Sequence, residues 1–197
     1  MNIPVIYEDD WILVVDKPSG LLTVPTPKNE ERTLTSILNL YPCHRLDRET
    51  SGLIIYAKSK STQQKLADQF RQRVVKKSYI AFVQGVPLRL EGEIKNKIEG
   101  LSACTRYKVI AKMNDFAIVK VNPLTGRTNQ IRIHFKQIGH PVLGESKFAF
   151  RRDSIVKAKR LCLHAERLEF VHPLTGKQLY LESPLPKDLE EFLNKHK

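Results

Sequence analysis

Short apolar runs outnumber helical periodicities along the chain, which predicts a strand-rich protein with few helices. Residues 5–7 and 12–15 read as strands split by the acidic turn Glu8-Asp9-Asp10, and Asp16-Lys17-Pro18-Ser19-Gly20 reads as a further turn. Pro25 and Pro27 bound a loop. Leu34, Ile37, Leu38 and Tyr41 fall at i, i+3, i+4, i+7 and predict a short amphipathic helix that Pro42 ends. The β-branched run at residues 53–57, entered from Thr50-Ser51-Gly52, predicts a buried strand. Ser61-Thr62-Gln63-Gln64 fits a capping box and predicts a helix to about Arg73, with Leu66, Ala67 and Phe70 inward.

Residues 77–85 (KSYIAFVQG) are apolar on both faces of an alternating pattern, as a central strand requires. Residues 86–102 are polar with weak periodicity, a hairpin or an excursion from the sheet. Residues 105–110 and 116–121 alternate as strands around the turn Lys112-Met113-Asn114-Asp115. The tetrad Pro-Leu-Thr-Gly occurs at 123–126 and again at 173–176, each behind a strand, so turn chemistry is reused without a repeat architecture. In GRTNQIRIHFKQIGHPVLG (126–144), Gln130, Arg132 and His134 alternate with Ile131, Ile133 and Phe135, which predicts a strand whose polar face meets solvent or lines a substrate cleft. Pro186 opens a C-terminal helix with Leu189, Phe192 and Leu193 inward.

Composition changes this picture in one respect. A length of 197 residues with 41% hydrophobic and 27% charged residues is ordinary for one globular domain with a full core. A net charge of +12 is not ordinary and points to a polyanionic partner, most simply nucleic acid. Four cations, Arg71, Arg73, Lys76 and Lys77, follow the second predicted helix. They complement its C-terminal dipole or contact phosphate. Residues 147–160 hold six more against the single Asp153. Cys43, Cys104 and Cys162 are isolated, so no disulfide framework or zinc ribbon is written. His134, His140, His164 and His172 match no metal-ligand spacing. The opening Met1-Asn2-Ile3-Pro4 does not read as a leader and no apolar run reaches bilayer length, so the chain is expected to be cytoplasmic with no membrane association.

The densest chemistry lies in CHRLDRETSGLIIYAK (43–58), with His44, Arg45, Asp47 and Arg48 inside five residues. One carboxylate on a loop braced by a strand, flanked by guanidinium groups, is favoured in its ionised form, since a nearby cation lowers an Asp pKa by about 1–3 units. Such a group serves as nucleophile or base. Arg-Asp pairs at loop–strand junctions also occur for purely structural reasons. A kinase His-Arg-Asp loop is excluded by Leu46 and by the lack of a Gly-rich loop and an Asp-Phe-Gly motif.

HRLDRETSGL resembles the active-site motif of the RluA-type RNA pseudouridine synthases, which implies that Asp47 is the catalytic residue. The opening IYEDDWILVVDKPSGLLTVP resembles the start of the same catalytic domain. The K-x-Y-x-A-x-V-x-G context implies that Tyr79 lies against the target base; an aromatic face stacks on a base with roughly 1–3 kcal/mol. Residues 126–144 are similar to the family's GR-[ST]-x-QIR-x-H…GHP segment, which implies that Arg132 pairs with Asp47. Asn129 stands where that segment usually has His. RLCLHA (160–165) resembles a third motif and implies that Leu163 packs beneath the tyrosine.

The resemblance implies an α+β pseudouridine synthase fold: a mixed, largely antiparallel central sheet, flanking helices and a central cleft. It implies one catalytic domain over 1–197, without the S4-like domain many relatives carry, so that RNA binding falls to the catalytic domain. The implied reaction isomerises uridine to pseudouridine in ribosomal or transfer RNA, or both, with no cofactor and no metal. Arg45, beside Asp47, would stabilise the disrupted RNA. The expected partner is RNA and not DNA, and the expected state is a monomer. The competing expectation is a non-catalytic RNA-binding module of the same fold acting in ribosome assembly. A nuclease or glycosidase reading lacks a second paired carboxylate or metal-ligand spacing.

Overall fold

A computed structural model describes residues 3–26, 32–149 and 156–196. Pro27, Arg151, Arg152 and Asp153, which figure in the loop and charge readings above, lie outside them. The described residues form ten strands and four helices, an α+β chain. They pack as two compact units: residues 1–77 with 165–184, and residues 78–164 with 185–197.

In the first unit, β1 (Val5–Glu8) pairs antiparallel with β2 (Ile12–Lys17), and β2 pairs antiparallel with β4 (Ser51–Ala57). The short β3 (Tyr41–Pro42) lies on β4, and β10 (Gln178–Glu182) lies on β9 (Leu163–Val171), again antiparallel. Every residue of β4 is buried, as an apolar run on both faces requires. One face of this unit gathers Ile12, Val14, Leu53, Ile55, Leu168 and Phe170 beneath Leu66 of α2 (Lys60–Arg71). That helix is capped by Ser59, whose hydroxyl accepts from the Thr62 amide at 3.2 Å. It therefore starts before the expected Ser61 box, because Ser59 is the residue with extended backbone at its N-terminus.

α1 (Leu34–Leu38) is capped by a reciprocal Thr33–Ser36 pair. It ends at Asn39 in the left-handed conformation (φ 53°) and not at Pro42, so Tyr41 leaves the helix and bridges to β4.

In the second unit, β5 (Lys76–Gln84) pairs antiparallel with β8 (Phe116–Pro123), β8 with β7 (Thr105–Lys112), and β7 with β6 (Glu91–Ile94). Residues 86–102 thus supply an outer strand. One face packs Ile80, Phe82, Phe116, Ile118 and Leu143 against Leu189, Phe192 and Leu193 of α4 (Lys187–Asn194). Across that core Phe192 lies 5.9 Å from Phe82, ring centroid to ring centroid. The opposite face is covered by α3 (Gln130–Gln137), where the alternating pattern predicted a strand. α3 is a helix because Gln130, Arg132 and His134 are buried and satisfied by hydrogen bonds, so its polar positions do not mark a solvent side.

Candidate active site

Asp47 sits half-buried in the first unit, on the loop between β3 and β4. Several bonds fix its backbone. The Thr23 hydroxyl donates to the Leu46 carbonyl at 2.9 Å, and the Leu46 amide donates back to it at 3.2 Å. The Thr50 amide closes a turn on the Asp47 carbonyl at 3.1 Å. Downstream, the Gly20 amide and the Ser19 hydroxyl donate to the carbonyls of Arg48 (2.8 Å) and Glu49 (2.6 Å).

Lys17 joins these pieces. It is fully buried, and its ammonium donates to the carbonyls of Pro18 (2.9 Å), Leu21 (2.7 Å) and Arg48 (3.1 Å). The segment 17–23 therefore works as a brace for the Asp47 loop. Its only sequence signal was a lysine closing an apolar run ahead of Pro-Ser-Gly, and it read as an ordinary turn.

At the loop's other end the Cys43 amide donates to the Ile55 carbonyl at 3.0 Å, and the His44 Nε2 accepts from the Ile55 amide at 3.1 Å. The His44 ring packs 4.6 Å from Phe70. Burial, with the Lys77 charge adding to it, pushes the His44 pKa down to about 3, so the ring is neutral. His44 anchors the motif to β4. Arg45 and Arg48 are exposed on either side of Asp47.

Gly52, at the start of β4, has φ +116°, and a Cβ there would lie 2.3 Å from the Ala165 carbonyl oxygen. Only glycine lets β4 approach so closely after the loop.

In the second unit Tyr79 is buried on β5 and pairs with Val121, which pairs in turn with Tyr107. Residues directly opposite in antiparallel strands share a face. The Tyr107 ring packs edge-on against Phe135 of α3 at 5.6 Å. Tyr79 therefore shares its sheet face with the helix that carries Arg132. Leu163 is buried at the start of β9.

Arg132 is also buried. Its Nε and Nη2 donate to the two carboxylate oxygens of Glu145 at 2.6 and 2.8 Å, and Nη1 donates to Asn129 Oδ1 at 3.0 Å. The guanidinium lies over the Phe148 ring, 5.3 Å from its centroid. Burial would raise the Glu145 pKa. The hydrogen bonds from Arg132 and from the Lys147 and Phe148 amides outweigh it and hold the carboxyl below its usual range. Asn129, in the left-handed conformation ahead of α3, thus has a definite task in the site.

Sequence reasoning missed Glu145, because one acidic residue in a basic stretch carried no pattern. It also missed the buried chain beside it. Gln130 donates to Thr105 Oγ1 (2.9 Å), and the Thr105 hydroxyl meets His134 Nδ1 (2.9 Å). His134 Nε2 faces the Asn96 carbonyl at 3.0 Å and must donate to it. Two more histidines of that reading are placed: His140 Nδ1 meets the Gln84 carbonyl at 2.8 Å, and His172 Nδ1 accepts from the Leu174 and Thr175 amides.

Known proteins resemble this chain in fold and in sequence. A human protein, RNA pseudouridylate synthase domain containing 4, superposes with a TM-score of 0.83 at 24% identity, covering 98% of this chain and 92% of that one. Residues 11–137 match the family described as RNA pseudouridylate synthase. The dual-specificity RNA pseudouridine synthase RluA of Yersinia pestis is 40% identical over 90% of this chain and 97% of its own length. The ribosomal large subunit pseudouridine synthase C of Vibrio cholerae is 33% identical over 97% of this chain and 68% of its own. The chain belongs to the RNA pseudouridylate synthase family, in its RluA-type branch, isomerases that turn uridine in RNA into pseudouridine.

Proposed function

We propose that the stretch 1–197 acts as a single catalytic domain on uridines of ribosomal RNA, transfer RNA or both, with Asp47 as the catalytic carboxylate. The relative described as a ribosomal large subunit enzyme supports the ribosomal class, and the one described as dual-specificity supports more than one kind of target. The observation that carries the role of Asp47 is the brace on its loop. Lys17, Ser19 and Thr23 hold the backbone at residues 46, 48 and 49, on both sides of Asp47. A reacting carboxylate needs such fixed placement, since a misplacement near 1 Å can lower a rate about 100-fold.

In the reaction the N-glycosidic bond breaks, the uracil turns, and C5 joins C1′ of the ribose. Asp47 serves either by attacking an electrophilic carbon of the nucleotide or by taking a ribose proton to give a glycal. Both routes start from the ionised carboxylate, which Arg132 favours. Tyr79 stacks on the base and helps remove the C5 proton, Leu163 packs beneath Tyr79, and Arg45 receives the disrupted RNA. Taking a nucleotide out of its stack costs a few kcal/mol, so loops and single strands are preferred over duplex. The protein acts in the cytoplasm as a monomer, with RNA and neither DNA nor membrane as partner. Among the described residues no helix is long and apolar enough to cross a membrane.

The test is tritium release from C5-tritiated uridine in unmodified ribosomal and transfer RNA transcripts, comparing wild type with Asp47→Ala. Release by wild type alone, with RNA affinity retained by the variant, is the expected result. Undiminished release by Asp47→Ala removes Asp47 from the mechanism. Release from neither transcript class removes the proposed substrates.

A further inference from the structure

Glu145 stands just beyond Gly144, at a turn in which its amide donates to the Val142 carbonyl at 3.1 Å. Gly144 has φ +77°, and a Cβ there would lie 1.9 Å from the Arg160 carbonyl oxygen, so the turn is pressed against the chain at 160–161. From this rigid base one carboxylate oxygen, Oε1, accepts the amides of Ser146 (2.9 Å), Lys147 (2.7 Å) and Phe148 (3.3 Å). The same carboxylate grips Arg132 in a two-pronged contact, with 4% of Glu145 and 3% of Arg132 exposed.

A pair buried so completely is a poor device for stability alone. Two charges leave water, and well-packed apolar residues of similar size commonly serve a core as well or better. What the arrangement does give is orientation. A bidentate carboxylate sets the plane of a guanidinium, Asn129 fixes its third nitrogen, and the Phe148 ring supports one side. A lysine could not be held this way.

We propose that Glu145 is a positioning residue for Arg132, fixing the guanidinium in the orientation in which it serves the isomerisation. This rests on the reading above that Arg132 takes part in the reaction. The carboxylate does not meet the substrate; it acts through the cation, and the three amides hold it against rotation.

The test measures kcat, KM and RNA affinity by tritium release and filter binding for Glu145→Gln, Arg132→Met and the double variant. Glu145→Gln should lower kcat about 10- to 100-fold, with KM and affinity within about twofold of wild type. In the Arg132→Met background the same change should lower kcat no further. Glu145→Asp keeps the charge but withdraws it by one methylene. It protects the test should Glu145→Gln fail to fold, and is expected to lower kcat about tenfold with KM unchanged. Folded Glu145 variants with wild-type kcat overturn the proposal, as does an additive loss in the double variant, which marks a structural role independent of Arg132. If Arg132→Met keeps wild-type kcat while Asp47→Ala abolishes turnover, the reading of Arg132 fails and this proposal falls with it, leaving that of Asp47 in place.

Discussion

Thr23 and Leu46 exchange two hydrogen bonds, the Thr23 hydroxyl giving one to the Leu46 carbonyl and taking one from the Leu46 amide. One side chain thereby satisfies both backbone groups of the residue before Asp47. Thr23→Val keeps the shape and removes both bonds, leaving two buried backbone groups unpaired. A loss of about 1–3 kcal/mol in urea unfolding is expected, with kcat lowered about tenfold or more as the loop loosens and RNA affinity near wild type. Tritium release and filter binding on the same preparation check the split.

Lys17→Met should be more severe for the fold than for any contact with RNA. The ammonium satisfies three carbonyls in a site closed to solvent, and methionine satisfies none. About 2–4 kcal/mol of stability should go. Lys17→Arg should not restore it, since a planar fork cannot place its donors on three carbonyls set around a point charge. Urea midpoints of the two variants decide the matter.

Gly52→Ala combines a forbidden φ with a Cβ inside the Ala165 backbone. A loss of about 3–5 kcal/mol is expected. Gly139→Ala is the control: its φ is also positive, at +81°, but a Cβ there meets nothing within 4 Å, and only about 1–2 kcal/mol of conformational strain should appear. Thermal melts that rank the two the other way would contradict the close approach at Gly52.

His44 gives the fold an acid dependence. Its folded pKa is depressed from 6.5 to about 3. The unfolded chain therefore takes up a proton below pH 6.5 that the folded chain refuses. Stability from the neutral ring is present above pH 6.5 and is lost as pH falls toward 3, by about 1 kcal/mol per pH unit. His44→Gln should flatten the stability profile between pH 6 and 4 relative to wild type, whatever its offset at pH 7. Parallel profiles would show that the proton is taken up elsewhere.

The strands were legible because their burial leaves a direct mark. β4 is apolar over residues 53–57 and β5 over residues 79–83, and β7 alternates ahead of a polar turn. α3 was not legible, and the reason is physical. A helix whose Gln130, Arg132 and His134 are all buried on hydrogen bonds loses the 3.6-residue contrast between wet and dry sides. What remained was the accidental alternation of Ile131, Ile133 and Phe135. A stop signal was present in Gly139, just past the helix with φ +81°, and it was overlooked. Within the site, Asp47 and its arginines were visible as a local cluster. Lys17, Thr23 and Glu145 were not, since each acts on residues distant in sequence or on backbone groups that no residue pattern records.

The two units are interleaved along the chain, which sets an order of events at the ribosome. The first unit's core needs Leu168 and Phe170 of β9 beside Ile12, Val14, Leu53 and Ile55, yet residues 78–164 must be made in between. At about 5–20 residues per second that interval is on the order of ten seconds. Through it the N-terminal strands lack both their last edge partner, β9, and the cover of Leu168 and Phe170. The brace at residues 17–23 and the loop it holds both lie within the early segment. The Asp47 turn can thus be set before the strand that finishes its support has been translated.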